Sequence, residues 1–252
     1  MKIPKSVLLL FTIFLVAGCY EEEMHSSKTV TESWSASEVQ EIDLEGVNGS
    51  ISILAGDDDE ITLVAEIRAR RDPDDILKLV VEDGVLRVRE EHRRSKGFPF
   101  SLVRNSSAKI DYEIRVPSAT VLDIETTNGP IKTEGIRGVH HLSSVNGRIE
   151  VTTPDAEITA STVNGRIVAQ FTDEFRGARL KTVNGSVRVS VPPDAAISAD
   201  INQVNGSFNS NIPVVVNGSK RVSRHGETRE FPLDVTTVNG SVTLTEWNPN
   251  DH

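Results

Sequence analysis

Downstream of residue 39 the apolar positions recur every second residue in short runs, as in Ile42 and Leu44, Ile51 and Ile53, Ile61 and Leu63, and Ile110, Tyr112 and Ile114. Alternation of this kind, rich in Val, Ile and Thr, predicts half-buried β-strands, because successive strand side chains point to opposite faces. No stretch in this region sustains the three-and-four spacing of a helical stripe, so an all-β domain is expected. Asp83-Gly84 lies between Leu77, Leu79, Val81 and Leu86, Val88. A two-residue turn there makes a hairpin with all five apolar residues on one face. Between Glu90 and Ser107 the alternation fails amid charges, Gly97 and Pro99, which predicts a long exposed loop.

Seven Asn-Gly pairs share one setting. They centre on Asn48, Asn128, Asn146, Asn164, Asn184, Asn205 and Asn239, six of them follow a Val, and those from Asn128 to Asn205 recur every 18 to 21 residues. A period of about twenty residues marks stacked coils. Relative to each Asn, apolar residues favour positions −6, −4, −1, +3 and +5, as Ile158, Ala160, Val163, Ile167 and Ala169 do around Asn164. Asn-Gly between apolar runs is also a hairpin signal, but a hairpin would turn the residue at −1 outward. A corner in a coil can point that Val inward. The expected fold is therefore an all-β solenoid, parallel β-helix-like, with a hairpin-built sandwich or barrel as its rival. In such a stack each Asn would lie ~4.8 Å from the next and form an amide ladder. Gly129, Gly147, Gly165, Gly185, Gly206 and Gly240 would supply a positive φ at the bend. At ~3.3 Å per residue the coil perimeter is enough for two or three strands. The pair at Asn217 has Lys220 in the apolar +3 place and is expected to be a loop turn.

The first nineteen residues follow another pattern. Lys2 and Lys5 precede an apolar run from Val7 to Ala17 that closes with Val16-Ala17-Gly18-Cys19. The run is too short for a span, which needs ~20 helical residues, and it reads as an export signal. It resembles a bacterial lipoprotein signal peptide with its lipobox, which implies cleavage after residue 18, a diacylglyceryl thioether on Cys19 and an acyl group such as palmitate on the new amine. Two or more chains give a stable anchor. Cys19 is the sole cysteine, so no intrachain disulfide can form. Residues 19–38 are polar and read as a lipidated, flexible tether, 39–247 as the solenoid domain and 248–252 as a frayed tail. Tyr20 is not the Asp that commonly retains such proteins in the inner membrane, so an outer-membrane location is expected in a two-membrane cell, and the outer leaflet of the cell membrane otherwise.

Formal charge is −10, and −12 once Lys2 and Lys5 are removed. That sign argues against a nucleic-acid partner. The order of several segments is similar to the bacterial putative-adhesin domains of unknown function, β-helical proteins rich in Val-Asn-Gly. These segments are Gly49-Ser50-Ile51-Ser52-Ile53, Asp59-Glu60-Ile61-Thr62-Leu63, Tyr112-Glu113-Ile114-Arg115-Val116-Pro117, and Thr126-Thr127-Asn128-Gly129 with Gly135-Ile136-Arg137-Gly138. Val191-Pro192-Pro193-Asp194-Ala195 and Thr237-Val238-Asn239-Gly240-Ser241-Val242 complete them. The resemblance spans Ser37 to Glu246 and implies an exported β-solenoid with no catalytic residues to carry over.

Candidate chemistry is sparse. Lys132, Arg148, Arg166 and Arg188 follow Asn-Gly corners at outward positions and could meet an anionic polysaccharide, although such a row also serves as a solvated face. Asp57-Asp58-Asp59-Glu60 lacks the spaced ligands of a calcium loop and reads as a charged turn. His140-His141 would point to opposite faces of a strand, the wrong arrangement for shared chelation. Glu134, Glu150, Asp155 and Asp173 are scattered without the paired geometry a glycoside-cleaving enzyme needs. Trp247 is expected to cover the open end of the last coil. No cofactor, metal or catalysis is expected. The reading is a lipid-anchored surface-interaction module; the alternatives are an envelope sensor or scaffold binding a protein, and a polysaccharide-binding or polysaccharide-degrading β-helix.

Overall fold

The computed structural model describes residues 26–70, 76–90, 108–212, 215–217, 221–224 and 230–248. The leader 1–18, Cys19, residues 91–107 of the expected loop and the tail beyond 248 lie outside them. In the described residues every regular element is a strand: β1 (Ser26–Ser35), β2 (Glu41–Asn48), β3 (Ile51–Ala55), β4 (Glu60–Ala69), β5 (Leu77–Glu82), β6 (Val85–Glu90) and β7 (Ala108–Val116). Four strand pairs follow, β8 (Val121–Asn128) with β9 (Ile131–Glu134), β10 (His140–Asn146) with β11 (Ile149–Thr153), β12 (Ile158–Asn164) with β13 (Ile167–Phe171), and β14 (Ala178–Asn184) with β15 (Val187–Val191). The chain ends with β16 (Ile197–Asn205), β17 (Phe208–Ser210), β18 (Val215–Asn217), β19 (Arg221–Arg224), β20 (Phe231–Asn239) and β21 (Val242–Glu246).

Each Asn-Gly corner joins a strand of one sheet to a strand of the other, and the coils stack in parallel. Sheet I runs β18-β19-β16-β20-β14-β12-β10-β8-β2-β6-β5, and sheet II runs β1-β4-β7-β3-β9-β11-β13-β15-β21-β17. Register is uniform: Ile131, Ile149, Ile167, Val187 and Val242 form one row, each pairing with the next. They are buried, as are Leu122, Ile158, Ala178 and Leu233 in the facing row. Ile136, Ala156, Phe175 and Ala195, from the loops opposite the corner, are buried too and close the third side of the coil. Phe171 and Phe175 meet edge to face, with centroids 4.8 Å apart. The parallel strands and the shared register make this the β-solenoid expected from the repeat, built on two sheets.

The order of coils in space is not their order in the chain. We number them from the β2–β3 end: coil 1 is β2–β3, coils 2 to 5 are the four pairs from β8–β9 to β14–β15, coil 6 is β20–β21 and coil 7 is β16–β17. Residues 231–246, later in the chain than β16–β17, fill the slot between β14–β15 and β16–β17. A similar step occurs at the other end, where β6 and β7 lie outside the β2–β3 coil on the side away from β8–β9. Antiparallel strands finish the stack: β4 and β1 beyond β7, β5 beyond β6, and β19 with β18 beyond β16.

Four expectations change. Part of the tether is folded: Ser26–Ser35 pairs along its whole length with β4, because Val30 and Trp34, four apart on one face, pack against the core edge. The Val at −1 points outward, not inward; Val145, Val163, Val204 and Val238 are 36–73% exposed. The solenoid thus holds although the inward Val used to favour it does not exist. A positive φ occurs at Gly49 (126°) and Gly129 (159°), whereas Gly147, Gly165, Gly185, Gly206 and Gly240 have none. Trp247 does not cover the end of the stack, since β21 is an internal strand and the Trp247 N–H donates to the Val191 carbonyl at 2.7 Å. The Asp83-Gly84 hairpin forms as expected, with φ of 54° and 80° at its two turn residues.

Candidate functional site

The Asn-Gly corner is the most regular surface of the molecule, and three rows of residues build it. Outermost is the amide ladder. Each Asn Nδ2 donates to an Asn Oδ1 on the adjacent coil at 2.8–3.0 Å, along the series Asn48, Asn128, Asn146, Asn164, Asn184, Asn239 and Asn205. The ladder crosses the out-of-order coil without a break. At its first end Asn48 Nδ2 donates to the Ala108 carbonyl at 3.3 Å.

The glycines explain the close stacking. A Cβ on Gly165 would lie 1.9 Å from the Gly147 carbonyl oxygen, and on Gly185 1.8 Å from that of Gly165. Bulk, not φ, excludes other residues at these positions. The third row was not anticipated: Ser144, Thr162, Thr182 and Thr237, at −2, are buried polar residues. The hydroxyls of Thr162, Thr182 and Thr237 donate to Gly147, Gly165 and Gly185 carbonyls at 3.1 Å each. A hydroxyl at −2 thus satisfies the carbonyl that glycine leaves accessible, which a buried polar group requires. The signal was in the sequence, since Ser or Thr precedes Val-Asn-Gly in four copies.

At the first end the row changes chemistry. Gly46 occupies −2 of coil 1, and Glu90 at the end of β6 fills the neighbouring place, its Oε1 accepting the Val47 N–H at 2.9 Å. Glu90 Oε2, the Tyr112 hydroxyl and Thr126 Oγ1 are buried there. Burial pushes the Glu90 carboxyl up to about 7, against the opposing hydrogen bond from Val47 and the Tyr112 hydroxyl beside it, which favour the charged carboxylate. Burial and the nearby Glu90 charge also raise the Tyr112 phenol. His140 sits in the core between Leu122 and Ile158 while His141 is exposed. Burial brings the His140 imidazole down to about 4, which keeps it neutral at physiological pH.

The four cations expected in one row share the outer face of sheet II but fall in two rows. Lys132 and Arg188 are in one, separated by Glu150 and Val168. Arg148 and Arg166 lie nearer the corner. Lys132 is 2.8 Å from Glu134, which raises its pKa, Arg148 pairs with Glu150, and Arg166 Nε donates to Ser186 at 3.0 Å. These contacts occupy the charges only in part, since the Arg148 side chain stays 49% exposed. On sheet I a shallow concavity of about 330 Å³ lies between Thr159, Ser161, Arg179, Lys181 and Asp234. Among the described residues no group of three His, Cys, Asp or Glu is placed to hold a metal.

A stacked solenoid with these corners defines the class of protein. Residues 118–245 match the Toastrack DUF4097 family, and the chain belongs to that family. A crystal structure of a "putative cell adhesion protein" from Clostridium sporogenes is similar at 11% identity and a TM-score of 0.56, over 88% of this chain and 100% of that one. At that identity the likeness shows the fold alone. A "putative adhesin" from Bacteroides fragilis matches at 12% identity with a TM-score of 0.37, over 86% of this chain and 97% of that one. A "putative lipid binding protein" from Parabacteroides distasonis matches at 13% identity with a TM-score of 0.36, over 87% and 97%. No curated protein is similar enough in sequence to count as a relative.

Proposed function

We propose that the chain is a lipid-anchored, noncatalytic protein of the cell envelope whose solenoid displays a rigid surface to a partner. The observation that carries this reading is the pairing of a Val16-Ala17-Gly18-Cys19 leader end with a corner of continuous hydrogen bonds from Asn48 to Asn205. An export-and-acylation signal places the domain at a membrane. A stack in which every coil is bonded to the next resists local opening and suits display more than the lid motions many enzymes use. The acids of the outer faces support this. Glu134, Glu150 and Asp155 are engaged with Lys132, Arg148 and Arg137 rather than converging on a substrate site.

Intact mass and membrane fractionation of the protein expressed with its own leader, beside Cys19→Ser, test the reading. Acyl mass and membrane association that both disappear in Cys19→Ser support it. A wild type that is soluble and unacylated removes the anchor.

A further inference from the structure

Among the described residues, more than half of the large exposed hydrophobics stand on one line. Of seven large hydrophobic residues exposed among the described residues, four are the corner Val145, Val163, Val204 and Val238. Val47 and Val183, partly buried, stand in the same row. With ~4.8 Å between strands, the row from coil 1 to coil 7 is roughly 29 Å long. Stacking of β-branched side chains on their neighbours accounts for Val in an extended segment, but not for the charges beside it. The flanking positions −3 and +2 hold Glu45 and Glu125 in coils 1 and 2. In coils 3 to 7 those positions hold Arg148, Arg166 and Lys181, and otherwise only Ser, Thr or Asn. From coil 3 to coil 7, about 19 Å at ~4.8 Å per strand, the strip carries no acid at these positions, a departure in a chain of formal charge −10.

The chain's own geometry says what can reach the strip. Ser26, where β1 begins, pairs with Ala69, Ala69 pairs with Ala108, and the Ala108 carbonyl accepts from the Asn48 side chain. The tether therefore enters the fold on the corner side, at the coil 1 end of the Val row. Cys19 to Ser26 is a span of seven residues, at most ~25 Å when fully extended. We propose that this corner lies against the lipid surface, with the Val row at the headgroup boundary and Arg148, Arg166 and Lys181 meeting anionic headgroups. The inference rests on the Cys19 anchor of the preceding section. Val contributes little interfacial affinity alone, but a short tether makes the contact intramolecular, so that weak complementarity is enough to set orientation. Both sheet faces then remain open to a partner.

The test uses the full chain processed from its own leader, its acylation confirmed by intact mass, in vesicles of phosphatidylethanolamine and phosphatidylglycerol. With the Cys19 thiol consumed by lipid, Val163→Cys or Asp173→Cys, the latter in the loop opposite the corner, takes an environment-sensitive dye. The expected result is a blue shift and quenching by spin-labelled lipid at 163 and neither at 173. A reporter at Val204→Cys should lose its quenching when Val145→Asp and Val163→Asp are added, with the melting temperature kept as the check on folding. Acylated protein with equal signals at 163 and 173 overturns the proposal while leaving the anchor intact, as does shielding at 163 that appears only on adding an envelope protein. Unacylated protein overturns the anchor, and this proposal falls with it.

Discussion

From Asn128 to Asn184 each coil rests on the one made just before it, and the same three groups recur at every corner: a ladder Asn, a stacked Gly and a buried hydroxyl. At the two ends the stacking geometry persists while the residues and the chain order change. Glu90 replaces the hydroxyl beside coil 1, where Gly46 has no side chain, and coil 7 carries Gln203 at −2 and Phe208 at +3, where the other coils have Ile or Val. Coil 6, later in the chain than coil 7, is held between coils 5 and 7. The middle thus shows what a coil needs to propagate, and the ends show how a stack is stopped. Placing residues 231–246 inside the stack leaves a less apolar coil outermost.

Removal of residues 231–252 should break this contrast most severely. Leu233, Val235, Val242 and Leu244 are buried in that coil, and among the described strands coil 7 has no other parallel neighbour. Hydrogen exchange should show protection lost over 197–210 as well, while 121–171 stays protected; protection kept over 197–210 would argue against the interlock. Next in size, Gly165→Ala should cost about 4 kcal/mol or more in urea unfolding, since its Cβ meets a carbonyl at 1.9 Å in a packed interior. Gly206→Ala meets the Gly240 carbonyl at the same distance but on a coil free to shift outward, so it should be milder.

Glu90→Gln isolates the first end. Because the folded pKa is raised to about 7 from 4.5, the buried carboxyl favours the folded state at acid pH and loses that advantage as pH rises from about 4.5 through 7. The variant should therefore match wild type near pH 4 and exceed it at pH 8 by up to about 3 kcal/mol, read from urea midpoints at both pH values. A smaller effect is expected for Thr182→Val, which keeps the shape but removes the bond to the Gly165 carbonyl. It should cost about 1–2 kcal/mol, with no pH dependence.

Much of this was legible in the primary structure. The period-two runs and the Asn-Gly spacing gave coils and a ladder, since both follow from local geometry that each copy repeats. The inward direction expected of the −1 Val fails because apolar character is not the same as burial. Strand alternation from buried Thr162 requires Val163 to face out, and the hydroxyl row at −2 explains which residue takes the inward place. Strand β1 was hidden because an edge strand with two exposed faces needs only Val30 and Trp34 to dock, which leaves a polar stretch that resembles a tether. Coil order was not legible at all. Every Asn-Gly copy offers the same edge to every other, and the five residues from Pro192 to Ala196 can cross one strand spacing or two. The degenerate copy at Asn205 held the hint, since the coil least like the others stands outermost.

The order of coils is most directly tested by paired cysteines in a Cys19→Ser background. Lys181 and Thr236 are in-register neighbours on adjacent strands, and Asn202 lies one strand beyond Thr236. Neighbouring parallel strands, ~4.8 Å apart, are within disulfide reach, and strands twice as far apart are not. Lys181→Cys with Thr236→Cys should oxidise to a crosslink in the folded protein, and Lys181→Cys with Asn202→Cys should remain reduced. The reverse result, 181 joined to 202 and not to 236, would place the coils in chain order and contradict the interlocked stack.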